Sequence, residues 1–174
     1  ELTTKGAAVS FTAPYSGEIK IAMNDGCVKS HTYNNHRSKF LMLKNGETME
    51  GYPVNLGDGT TAGSNVYTFK PMIINVQKGD TITFAVLRNT DGQSGTSYIS
   101  PVIAYTELDG TQLAFNASNE YALDKGNPNG VWTYQSYLPN EEVKLVALPL
   151  NQSSQWWGSN IVYVQNNAAT GYEN

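Results

Sequence analysis

The sequence predicts an all-β fold, an antiparallel β-sandwich of about ten strands, and three observations carry that expectation. Short apolar or alternating runs recur at spacings of roughly 10 to 15 residues, each closed by Gly, Pro, Asn or Asp. Charged residues make up only 15% of the chain, and Asn, Ser, Thr, Gly and Tyr take their place. That composition favours turns and strands over helices, whose exposed faces usually carry Glu, Lys, Ala and Arg. Only residues 116–126, "NASNEYALDKG", have helical character, with Ser118 to cap and Gly126 to stop a single turn.

Taken in order, "AAVSFTAP" is an apolar strand ending in Ala13-Pro14, and a Ser16-Gly17 turn leads to "EIKIAM". Cys27 follows Gly26 and is expected to be a small buried hydrophobe; as the only cysteine it excludes an internal disulfide. "SHTYNNHRS" reads as a solvated, Asn-rich loop, since His31 and His36 alone do not make a metal site. "KFLMLKNG" alternates from Lys39 to Lys44 and closes on Asn-Gly. Next come "NVYTFKPMIINVQKGD", "TITFAVLRN", "SYISPVIAYTELDG", "TQLAFNASNE", "VWTYQSYLPN", "EEVKLVALPL" and "NIVYVQNN". Residues 55–65 and 88–97 read as long polar loops, a length that in compact β domains usually accompanies function. The 174 residues are expected to form a single module, with an internal seam near 107–112.

Composition also narrows the partners. A net charge of −4 with only two arginines, Arg37 and Arg88, provides no basic cluster for nucleic acid. No run approaches the roughly 18 apolar residues of a membrane-spanning helix. No GxSxG elbow appears, and Glu107, Glu120, Glu141 and Glu142 are scattered rather than paired, so no enzyme is expected. Asp58 and Asp91 lie in Gly-rich loops where a structural calcium ion would fit, yet plain turns explain them as well.

Ala13-Pro14, Ser16-Gly17, the Lys78-Gly79-Asp80 turn before "TITFAV", and a Ser100-Pro101 strand ending in Tyr105 together resemble a known group. These are the jelly-roll-type β-sandwich carbohydrate-binding modules attached to secreted bacterial glycoside hydrolases and to cellulosome- or amylosome-like proteins. The second half, "YALDKGNPNGVWTYQSY" through "WWGSNIVYV", is similar to the Trp-rich half of such modules, which there precedes the Ala-Pro half. The chain is therefore expected to be permuted, or to span a junction between tandem modules. The resemblance implies a non-catalytic, monomeric module of a larger multidomain chain, secreted or attached to the cell surface. Its partner would be a polysaccharide or oligosaccharide. The alternatives are a structural spacer and a protein-interaction module.

Sugar recognition suits rigid aromatic rings with convergent amides and hydroxyls, and the chain supplies 11 Tyr and 3 Trp. Trp156 and Trp157 are adjacent, so on a strand their rings would point to opposite faces. With Gln155 beside them and small polar residues around, at least one is expected as a stacking platform. Two angled rings favour a curved, starch-type α-glucan over plant cell-wall β-glucan, with xylan and pectin as further alternatives. Trp132 and Tyr134 alternate onto one face opposite Val131 and Thr133, and Trp132 looks like core in the resembled modules. Trp132, Tyr134, Tyr137, Tyr33 and Asn35 complete the ligand-binding candidates.

Overall fold

The computed structural model describes residues 6–32, 38–56, 63–88, 95–106, 113–121, 126–138 and 145–147. Strands come first as β1 (Gly6–Thr12), β2 (Gly17–Met23), β3 (Cys27–Thr32), β4 (Ser38–Lys44), β5 (Glu47–Thr48) and β6 (Val54–Leu56). They continue as β7 (Gly63–Thr68), β8 (Met72–Val76), β9 (Thr81–Arg88) and β10 (Gly95–Tyr98). The last are β11 (Pro101–Tyr105), β12 (Ala114–Asn116), β13 (Trp132–Tyr137) and β14 (Leu145–Ala147). All pairings are antiparallel, and no helix occurs among the described residues. The fold is an all-β antiparallel sandwich.

One layer has the order β14-β13-β1-β9-β4-β5, with β6 also pairing to β4. Two smaller sheets, β12-β11-β2-β8 and β10-β3-β7, make the other. Their orders match because β2 continues into β3, β7 into β8 and β10 into β11. The breaks at 24–26, 69–71 and 99–100 fall side by side. Hydrogen bonds from Asn24 N to Ser100 O (2.8 Å) and from Phe69 N to Gly26 O (2.9 Å) span them. Gly26, with φ 66°, makes the tight turn that an ordinary side chain would resist. The two sheets are thus one creased layer. The chain alternates between layers: β1 in the first, β2-β3 in the second, β4 to β6 back in the first, and so on.

Alternation builds the core. Val9, Phe11, Phe40, Met42, Ile82, Phe84, Val86, Trp132 and Tyr134 of the first layer meet Ile19, Ile21, Val28, Val76, Ile103 and Tyr105 of the second. The opposite face of the first layer is buried as well: Ala8, Leu41, Leu43, Ala85, Leu87 and Tyr137 form a second cluster. Double burial explains why β4 and β9 carry unbroken apolar runs. It corrects the expected Lys39-to-Lys44 alternation, since Phe40, Leu41, Met42 and Leu43 are all buried.

The strand at Cys27–Thr32 replaces the expected solvated loop around His31, and Cys27 is only partly buried. The turn after β12 is capped by Asn116 rather than Ser118. Its Oδ1 accepts from the N–H groups of Ser118 (3.0 Å) and Asn119 (3.1 Å), and the Asn116 N–H donates to Glu120 Oε1 (2.6 Å). An Asx turn outcompetes the serine cap because the amide reaches two donors at once. The expected seam near 107–112 and the strand "NIVYVQNN" lie outside the described residues.

Candidate functional site

The expected ring contacts on β13 lie inside the protein. Trp132 is fully buried, its ring 5.4 Å from that of Phe11. Tyr134 shares that core face, as the alternation required; its hydroxyl donates to Ala117 O at 2.8 Å. Burial, with smaller contributions from Tyr121 and Glu120, pushes its phenol up to about 12. Tyr137 is buried in the outer cluster of the first layer. These three are structural: an apolar strand flanked by packed neighbours has no free ring face. Trp156, Trp157, Gln155, Tyr33 and Asn35 lie outside the described residues, as do His36, Asp58, Asp91, Glu107, Glu141 and Glu142. Of the four candidate acids only Glu120 is described, and it is engaged as a turn cap. Among the described residues no cluster of His, Cys, Asp or Glu is arranged to hold a metal ion.

The motif residues that carried the resemblance do converge, but as a staple. Ala13 donates to Asp80 O and accepts from Gly79 N, each at 2.8 Å. Ser16 Oγ donates to Gln77 Oε1 (3.2 Å) and accepts from Lys78 N (2.9 Å). Asp80 accepts from Gln77 N and from Asn45 Nδ2, both at 2.9 Å, with Lys44 Nζ 3.4 Å away. These donors, the Gln77 N–H first, hold the Asp80 carboxyl below its ordinary range. Tyr105 is buried and its hydroxyl donates to Tyr15 O at 2.6 Å. This end of the sandwich is bolted shut.

The other end is open in composition. Thr32, the last residue of β3, stands opposite both Gly63 and Gly95, the first residues of β7 and β10. Ser38, the first of β4, stands opposite Arg88 and Leu56. The strand ends that anchor the connections 33–37, 57–62 and 89–94 are therefore gathered at one end. The sequences between them are rich in Asn, Gly, Thr and Ser.

Away from that end, at the crease, the outer face of β10-β3-β7 carries the most exposed aromatic residue described. Tyr98 is 61% exposed, and Val66 on the far strand 51%. Lys29 lies between them in register, opposite Tyr98 on one side and Val66 on the other. Adjacent strands run about 4.8 Å apart, so the row is about 10 Å across. Lys29 Nζ is 3.5 Å from Asp25 Oδ2, which leaves the row without net charge. Ile73, 57% exposed, stands on β8 beyond the crease, opposite Lys20. The creased layer thus presents a short row of Tyr98, Lys29 and Val66, with the Lys29 charge offset by Asp25.

Sequence reasoning missed Tyr98, although a signal existed. Counting back by twos from the core residue Tyr105 puts Ile103 and Ile99 inside and Tyr98 outside. No family model, curated protein or solved structure matches this chain.

Proposed function

We propose that this chain is a non-catalytic carbohydrate-binding module that attaches a larger secreted or cell-surface protein to a neutral polysaccharide. The observation that carries the reading is Tyr98, a largely exposed ring on a regular strand, in one row with Lys29 and Val66. A sugar ring offers a flat C–H face to such an aromatic and hydroxyls to amides and hydroxyls nearby. The connections 33–37, 57–62 and 89–94 each join the layer of Tyr98 to the other, and their sequences hold amides and hydroxyls, those of Asn35 and Tyr33 among them. The Asp25 carboxylate beside Lys29 offsets its charge, which favours an uncharged ligand over an acidic one. A starch-type α-glucan leads the candidates, followed by β-glucan, xylan and pectin.

Native electrophoresis in gels cast with each polysaccharide tests this reading. Retardation by at least one neutral glycan, lost in Tyr98→Ala with the melting temperature unchanged, supports it. Trp156→Ala and Trp157→Ala belong in the same gels, because the adjacent tryptophans were the strongest expectation from sequence. No retardation with any glycan favours the spacer or protein-interaction alternative. Release of reducing sugar on long incubation would make the chain an enzyme.

A further inference from the structure

Exposed single aromatics are common on protein surfaces and need no explanation by themselves. Tyr15, 50% exposed in the turn between β1 and β2, differs in how it is held. The hydroxyl of the buried Tyr105 accepts from Tyr15 N (3.3 Å) and donates to Tyr15 O (2.6 Å), clamping both backbone groups of one residue. The two rings meet edge to face, 6.1 Å apart at 76°. On the chain before it, Ala13 is tied by N–H and C=O to the 77–80 turn. On the chain after it, the Ser16 hydroxyl bonds to Gln77 and Lys78. The residue is half-exposed, its backbone is pinned by Tyr105, and its ring rests edge to face against that same buried side chain.

We infer that Tyr15 is a second stacking platform, at the bolted end of the sandwich, which takes one pyranose ring of a neutral polysaccharide. This rests on the carbohydrate-binding reading above. A tyrosine whose backbone is already pinned and whose ring leans on a buried neighbour loses less freedom when a ligand covers it than one on a loose turn. Polar partners for the hydroxyls flank the turn. Gln77 uses its Oε1 on Ser16, which leaves its Nε2 hydrogens to donate outward. The Glu18 carboxylate takes one bond from Thr106 Oγ1 at 2.9 Å and has further lone pairs to accept from a sugar hydroxyl. Because β2 continues into β3, Tyr15 ahead of β2 and the Tyr98 row opposite Lys29 in β3 are separated along the layer by the length of β2 and the crease. Two sites so separated would let one module engage a polymer twice, raising retention without tighter single contacts.

Isothermal titration with a short oligosaccharide of whichever glycan retards the wild type tests the inference. Two sites per chain are expected for the wild type and for Tyr15→Phe, and one for Tyr15→Ala. The Tyr105 bonds go to the Tyr15 backbone, so Tyr15→Ala keeps the clamp; Tyr15→Leu, which keeps an apolar side chain, guards against a loosened turn and should also show one site. One site in the wild type, abolished by Tyr98→Ala and untouched by Tyr15→Ala, overturns the second platform while leaving the module reading intact. Absence of binding to any glycan overturns both.

Discussion

Among single residues, Trp132 and Tyr98 show how the same chemistry divides by strand phase. Trp132 stands on the inner side of β13, and its indole N–H has no hydrogen-bond partner. Trp132→Ala should cost about 3–5 kcal/mol in denaturant unfolding, as large aromatic truncations in cores do. Trp132→Phe keeps a ring against Phe11 and removes the unpaired N–H, whose burial costs about 1–3 kcal/mol. It should therefore cost well under half as much as alanine. Tyr134 provides a second residue-level test. Its phenol holds its proton more tightly folded, at about 12, than at the ordinary 10.0. The stability it contributes is complete below pH 10 and is lost as pH rises towards 12. Ultraviolet titration should show part of the tyrosine ionising late and together with unfolding. A fully normal, reversible titration would contradict its burial. The sharing of a face by Trp132 and Tyr134 was legible from alternation; that Trp132 points inward was expected only through the resemblance, because aromatic strands look alike in sequence whichever side is covered.

At the scale of elements, apolar strands with sharp turns were legible and polar ones were not. "AAVSFT", "EIKIAM" and "TITFAVLR" match β1, β2 and β9 closely. β3 was missed because its outward positions are Cys27 and Lys29 and one inward position is Ser30, which bonds to Ser38 Oγ at 2.9 Å. A serine pair inside the sandwich satisfies itself but hides the strand's pattern from a hydrophobicity reading. Two expected long strands proved to be pairs, β7-β8 and β10-β11, since a crease shared by neighbouring strands leaves only a Pro or Ser in each sequence. The turn staple yields its own prediction. Asp80 is more acidic folded than its ordinary value of 3.8, so its contribution to stability is present above that pH and lost as pH falls through the lower folded value. Asp80→Ala should melt below the wild type at neutral pH, and the gap should close at strongly acidic pH. A gap independent of pH would mean that the staple works through shape rather than charge.

For the whole molecule, the layers divide the labour. The first layer is buried on both faces in its central strands, while the second turns the exposed Tyr98 and Val66 outward. One end of the sandwich is closed by the Asn45, Gln77 and Asp80 bonds; the other gathers the anchors of three polar connections. The all-β sandwich was legible because the period-two pattern and turn residues agree across most of the chain. The candidate row was less so, since exposure depends on which neighbouring strands continue and which face they cover, and neither is written in a local pattern. Binding to an uncharged polymer by stacking should vary little between low and high salt, because no ionic contact is being screened. The most direct test is the dissociation constant of wild type, Tyr98→Phe and Tyr98→Ala for an oligosaccharide of the retained glycan. Stacking on Tyr98 predicts near-wild-type affinity for phenylalanine and a loss of roughly tenfold or more for alanine, the factor that about 1.4 kcal/mol represents. Equal affinity in all three proteins would contradict it.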